Sequence, residues 1–147
     1  MNRYVEFTLL ISKINRCITK IKNSEMDDFG LKGTHVSCLY YLYLEEGLTA
    51  KELCEKCGED KGAISRSLEY LEENGYIACD DNKEKRYRAV LFLTNKGKEV
   101  ANKVSEKINK VLESVSVCMS DGERDIFYKG LVNIAENLDS ITEKGVF

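Results

Sequence analysis

Apolar residues recur at spacings of three and four along most of this 147-residue chain, so the pattern predicts helices. Val5, Leu9, Leu10, Ile14, Cys17, Ile18 and Ile21 mark a first helix from residue 3 to about 27, interleaved with Arg3, Lys13, Arg16, Lys20 and Lys22. Residues 29–33 read as a glycine-containing turn. Thr34 is then an N-cap for a second helix to about residue 45, with Val36, Leu39, Tyr40, Leu42 and Tyr43 as its apolar surface and Gly47 past its end. Thr49 and Glu52 form a capping-box pair that opens a short helix from 50 to about 57, stopped by Gly58. Asp60 caps a fourth helix from 61 to about 74, whose Ile64, Leu68 and Leu71 fall on one face.

Past Gly75 the period shortens to two. Residues 76–79 read as a strand, 80–85 as a charged turn, and 87–93 as a second strand carrying Val90, Leu91, Phe92 and Leu93. Thr94 caps a long helix to about 117 with an apolar face of Val100, Val104, Ile108, Val111, Leu112 and Val115. Ser120 or Asp121 opens a last helix to about 141, carrying Ile126, Phe127, Leu131, Ile134 and Leu138. The chain has no proline, in keeping with long unbroken helices.

This order predicts a mostly α fold with a small β-hairpin wing. A winged helix-turn-helix core spans 33–97, an N-terminal helix fills 1–32, and C-terminal helices fill 98–147. The end helices carry one apolar stripe each, more than the small core needs. A twofold dimer is the usual solution, with Val5, Leu9, Ile14, Ile18, Val111, Leu112, Val115, Ile126, Leu131 and Leu138 as its contacts. The alternative is a monomer with these helices folded back over the core.

Composition narrows the function. Hydrophobic residues at 43% and charged residues at 32% make a globular chain. The net charge is -3, so any contact with a polyanion must come from a local patch. No apolar run approaches the roughly 20 residues that span a bilayer, and 7–11 is too short and lacks a cleavage site. A cytoplasmic protein without a membrane partner is expected. The six cysteines show no disulfide framework and read as thiols. Cys54-x-x-Cys57 lacks two further zinc ligands and a thioredoxin-like context, and His35 is the only histidine, so packing or exposure is the favoured reading and no metal or cofactor is expected. Cys17, with Arg16 and Lys20 beside it, reads as an interface cysteine first and a peroxide sensor second. No nucleophile elbow, glycine-rich phosphate loop or histidine–acid pair is present, and Asp80 and Asp81 suit a turn. An enzyme is not expected.

The segment from 59 to 97 carries the chemistry. Lys61, Gly62, Ala63, Ser65 and Arg66 open the fourth helix toward a major groove. Gly62 and Ala63 permit close approach, Ser65 offers a base-edge hydrogen bond, and Arg66 grips a phosphate or guanine. Thr49, opening the preceding helix, suits a phosphate. Lys83, Lys85, Arg86 and Arg88, with Glu84 among them, form a cationic wing tip for the minor groove or its flanks. The competing readings are an ion pair of Arg66 with Glu69 or Glu73, an ordinary exposed Ser65, and a wing charged only for solubility. A winged module that binds protein rather than DNA stands as the alternative function.

Residues 60–68 (DKGAISRSL), 71–77 (LEENGYI) and the wing ending 93–97 (LTNKG) resemble the MarR family of winged-helix transcriptional regulators, along essentially the whole chain. The resemblance implies a homodimer with interlocked terminal helices, its two winged domains on a palindromic duplex operator. It also implies a repressor that lets go when a small-molecule effector or an oxidant acts on it. An effector pocket is expected where the winged domain meets the dimer helices, with Ile11, Asn15, Tyr40, Tyr43 and Leu44 as candidate lining. The wing departs from the family's aspartate-x-arginine-aspartate-x-arginine pattern: Lys83 stands where arginine is common.

Overall fold

The computed structural model describes residues 2–80 and 88–145. It divides into two compact units, Met1–Lys107 and Ile108–Phe147. In chain order the elements are α1 (Arg3–Met26), α2 (Gly33–Leu44), β1 (Leu48–Thr49), α3 (Ala50–Cys57), α4 (Lys61–Glu73), β2 (Ile77–Cys79), β3 (Val90–Leu93), α5 (Asn95–Ser116) and α6 (Asp121–Glu143).

The caps read from the sequence hold at most helix starts. Thr49 Oγ1 accepts from the Glu52 amide at 3.3 Å, and Glu52 Oε2 accepts from the Thr49 amide at 2.7 Å, closing the capping box of α3. Asp60 Oδ1 accepts from the Ala63 amide at 2.8 Å. Gly58 ends α3 in the left-handed region, φ 63°, where a side chain would be strained.

The start of α2 differs from expectation. Its cap is Lys32, not Thr34. Two side chains already take the first amides: Asn23 Oδ1 of α1 accepts from Gly33 at 3.0 Å, and His35 Nδ1 accepts from Lys32 at 3.0 Å. With those donors satisfied, the helix begins one residue before the threonine.

The sheet has three antiparallel strands in the order β1-β3-β2, with Leu48 opposite Leu91 and Ile77 opposite Leu93. The sequence pattern missed β1, because two residues cannot show a period. It also overran β3: Arg88 and Ala89 form a turn and bend, and the ladder starts at Val90.

In the first unit α2 is the central element, packed on α1, α3, α4 and β3. Leu39, Leu42, Leu53, Ile64, Leu71 and Val104 are fully buried, each contributing about 1.5–3 kcal/mol of apolar transfer. Val100 and Ala101 of α5 also enter this core. The corner between β3 and α5 explains the LTNKG sequence. Thr94 Oγ1 accepts from the Gly97 amide at 3.1 Å and donates to the Gly75 carbonyl at 2.6 Å. A Cβ at Gly97 would run into the Tyr76 carbonyl, so only glycine lets the helix start this close to the strand.

In the second unit, Ser120 and Glu123 form a capping box at the start of α6. The Arg124 guanidinium donates to the Ser116 and Met119 carbonyls at 3.4 Å each, holding the turn between α5 and α6. Among the described residues of α6, none is buried.

Candidate nucleic-acid interface

The fourth helix is built with two faces. Ile64, Ser67, Leu68 and Leu71 are buried against the core, which leaves Lys61, Ser65, Arg66 and Glu69 on the exposed side. The helix is anchored at several points. The Tyr70 ring stacks on His35 of α2 at 4.4 Å between centroids and 6° between planes, and the Tyr70 hydroxyl donates to the Gly30 carbonyl at 3.3 Å. Past its C-terminal end, Lys96 Nζ donates to the Asn74 carbonyl at 2.7 Å and lies 4.3 Å over the Tyr76 ring. His35 must stay neutral to accept at Nδ1. Burial lowers its pKa below the ordinary histidine value, and the Lys32 charge lowers it further.

The residues expected at the interface that the structure describes have these places. Lys61, Ser65 and Arg66 are exposed, and Gly62 and Ala63 are half-buried. The Arg66 guanidinium folds back toward Gly62, where a Cβ would sit 3.2 Å from Nη1. Among the described residues no ion pair joins Arg66 to Glu69 or Glu73. The Ala63 amide is taken by Asp60, so it is not free to receive a phosphate. Thr49 donates its hydroxyl to Glu52 Oε2 at 2.8 Å. Hydrogen bonds from the Thr49 backbone and side chain hold the Glu52 carboxyl below its usual range, so a phosphate reaching Thr49 meets an ionised acid. Arg88 is exposed in the turn before β3, while Lys83, Lys85 and Arg86 lie outside the described residues. A cavity of about 290 Å³ opens beside this face, lined by Lys61, Ser65 and Leu68 of α4, Ala50, Ile77 and Leu91.

The stripes expected to pair two copies are bare within one chain. Val5, Leu9, Ile14 and Ile18 of α1, Leu112 and Val115 of α5, and Ile126 and Leu138 of α6 are all exposed, and Val111 and Leu131 are half-buried. The residues expected around an effector lie on α1 and α2. Ile11 and Asn15 are exposed on α1, and Leu44 is exposed at the end of α2. Tyr40 meets Tyr41 edge-on, and the Tyr43 hydroxyl donates to Asn102 Oδ1 at 2.9 Å. Sequence reasoning missed His35, Asn23 and Tyr70. Their roles come from contacts across ten to forty residues, which leave no local signature.

A two-faced helix following a short capped helix, with an antiparallel sheet beside it, defines a winged helix-turn-helix protein. The sequence model of the MarR family matches residues 29–86. The HTH-type transcriptional regulator YwoH of Bacillus subtilis is 28% identical over 121 residues, covering 80% of this chain and 88% of YwoH. The MarR family regulator NMB1585 from Neisseria meningitidis superposes with a TM-score of 0.83 at 22% identity, over 99% of both chains. A putative MarR family regulator from Listeria monocytogenes, solved with a 26mer DNA, superposes with a TM-score of 0.81 at 22% identity, over 92% of both chains. In sequence over residues 29–86, and in fold along nearly its whole length, the chain is similar to the MarR family of transcriptional regulators.

Proposed function

We propose that this chain is a homodimeric, sequence-specific repressor that binds a palindromic duplex operator in the cytoplasm and is released by an effector. The observation that carries this reading is the split of α4: one face is locked into the core, and the other presents Lys61, Ser65 and Arg66 to solvent. A rigid helix with an exposed polar and cationic face is the reading element of a helix-turn-helix protein. Ser65 and Arg66 read base edges, Gly62 and Ala63 allow the approach, and Arg88 with Lys83, Lys85 and Arg86 holds the flanking backbone. The bare stripes of α1, α5 and α6 support pairing with a second copy, which sets two reading helices roughly 34 Å apart on one face of the duplex. The effector enters near Ile11, Asn15, Tyr40, Tyr43 and Leu44, where its binding competes with the arrangement that fits DNA.

A second reading has one observation in its favour. Glu52 and Asp60, the caps and counter-caps of α3 and α4, place acids at both helix starts. A winged module that binds a basic protein surface would use them. A single experiment separates the two. Fluorescence anisotropy is measured with labelled duplexes from the DNA upstream of the chain's own coding sequence, across a salt series. The repressor reading expects saturable binding that weakens by about 0.9 log unit per log unit of salt for each phosphate neutralised. Absence of duplex binding at low salt ends the repressor reading and leaves the protein-binding one.

A further inference from the structure

The fourth helix ends on a chemically fragile pair. Asn74–Gly75 is the one Asn-Gly step in the sequence. Asparagine is thermolabile, and a following glycine, with no Cβ, leaves its amide nitrogen free to approach the asparagine side chain. Both residues are exposed, so burial does not keep water from them. We propose that Asn74 is a latent deamidation site, held inert by a hydrogen-bonded clamp from the corner that opens α5 and released when the C-terminal end of α4 unwinds.

The clamp engages most polar groups of the pair. Asn74 Nδ2 donates to the Tyr70 carbonyl at 2.8 Å, and the Asn74 amide donates to the same carbonyl at 3.0 Å. The Gly75 amide donates to the Glu72 carbonyl at 3.0 Å. From the corner of α5, Lys96 Nζ donates to the Asn74 carbonyl at 2.7 Å, and the Thr94 hydroxyl donates to the Gly75 carbonyl at 2.6 Å. Three features of this arrangement oppose ring closure. The attacking Gly75 nitrogen must lose its proton, and that proton is committed to Glu72. Asn74 Cγ must swing onto the same nitrogen, and its amide is tied to Tyr70. A five-membered ring also needs Cβ and the Gly75 nitrogen eclipsed about the Asn74 Cα–C bond, and a ψ of 5° turns them well apart. Reaction therefore requires a local opening of the last turn of α4.

Once the turn opens, water is the only co-reactant. The Gly75 nitrogen attacks Asn74 Cγ: a C–N bond forms, the Cγ–Nδ2 bond breaks, and Nδ2 leaves as ammonia with the proton that the Gly75 nitrogen gave up. Water then opens the succinimide at either carbonyl, giving aspartate or isoaspartate. No group is oxidised or reduced. Neither product rebuilds the native turn. A carboxylate has no donor for the Tyr70 carbonyl, and it sets a negative charge at a helix C-terminus, where the dipole opposes it. Isoaspartate adds a backbone carbon to a turn that Thr94 and Lys96 close over a fixed span. Opening thus leads to a change that hinders reclosing. The effect on DNA rests on the repressor reading above, since α4 is its reading helix; the modification itself does not.

The test ages the full chain in mildly alkaline buffer, native or unfolded in guanidinium chloride. Trypsin cuts after Arg66 and Lys83, and the peptide 67–83 is scored by mass, with fragmentation to separate Asn74 from Asn82. Isoaspartate is labelled with isoaspartyl methyltransferase. Asn74 should convert at least about tenfold faster in the unfolded chain than in the native one. Lys96→Met, which keeps an apolar stem over Tyr76 and removes the donor, should raise the native rate about three- to tenfold and leave the unfolded rate unchanged. Equal native and unfolded rates, conversion of Asn23 or Asn82 ahead of Asn74 in the unfolded chain, or a native rate untouched by Lys96→Met would overturn the proposal. Should that variant fail to fold, hydrogen exchange of the Gly75 amide in the wild type takes its place, and exchange as fast as in an open chain overturns the clamp. In a separate arm, aged and refolded protein should bind duplex about tenfold more weakly than fresh protein refolded the same way, and recover on methyltransferase repair. Fresh protein that ignores duplex ends the repressor reading and leaves the deamidation site; aged protein that binds as well as fresh overturns the link to the reading helix.

Discussion

Helices α4 and α6 start alike and end in opposite situations. Each opens with a side-chain cap, Asp60 on the Ala63 amide and Ser120 on the Glu123 amide, and each carries an apolar stripe at helical spacing. Yet α4, with 13 residues, buries Ile64, Ser67, Leu68 and Leu71, while α6, with 23, leaves Ile126 at 74% and Val132 at 54% exposure. The shorter helix is finished within its own chain, and the longer one is not. An amphipathic stripe records that a helix needs a partner, but the partner's identity is a tertiary fact.

The comparison is broken most severely from the α4 side. Ile64→Ala should cost about 2–5 kcal/mol in urea unfolding, since it opens a cavity in a fully packed site. Gly97→Ala should cost about 1–3 kcal/mol by forcing α5 off the Tyr76 carbonyl. The same measurement on Val132→Ala, in dilute protein, should move by less than about 0.5 kcal/mol. A loss at Val132 equal to that at Ile64 would show that α6 is already partnered within one chain.

A smaller effect on the fold, and a larger one on assembly, is expected from Ile126→Glu combined with Leu138→Glu. On the proposed pairing, sedimentation velocity should report dimers for the wild type and monomers for this variant, with the winged domain still folded by near-ultraviolet dichroism. Persistent dimers would move the interface away from α6.

On the exposed face of α4 the effects are on binding. Arg66→Ala should weaken duplex binding by about 1–3 kcal/mol and change the ranking of operator sequences. Arg88→Ala should weaken all sequences alike and lower the salt slope by about 1. A uniform loss from Arg66→Ala would make it a phosphate contact instead.

The smallest effects concern the supports. Thr49→Ala should cost about 0.5–2 kcal/mol through the lost cap of α3. His35 gives a pH signature. Its pKa is lowered in the folded chain, so the unfolded chain binds the proton more readily. The neutral histidine's contribution is complete above the unfolded value of about 6.5, and stability falls as the pH drops below it toward the lowered folded value. Stability of the wild type minus that of His35→Gln should therefore decline on acidification through that window. A flat difference would show that His35 accepts no hydrogen bond that matters.

Much of the reading helix was legible because its signals are local. Asp60, the stripe Ile64–Leu68–Leu71 and the stop at Gly75 lie within sixteen residues, and the structure places α4 between them. The long helices were legible for the same reason. The two-residue β1 was not, since its strand character exists only through pairing with β3. Nor was the start of α2, which depends on Asn23 ten residues upstream. Thr49 reads as a phosphate contact by residue type, and only the structure shows that its hydroxyl already donates to Glu52 Oε2.

The sequence by itself determined the helices, their caps and the stripe on each, because periodicity and capping act over a few residues. Only the tertiary structure decided which stripes are satisfied, how Tyr70 and His35 brace α4, and why Gly97 must lack a side chain. Those facts depend on atoms brought together from distant positions, and no local pattern of residues encodes that meeting.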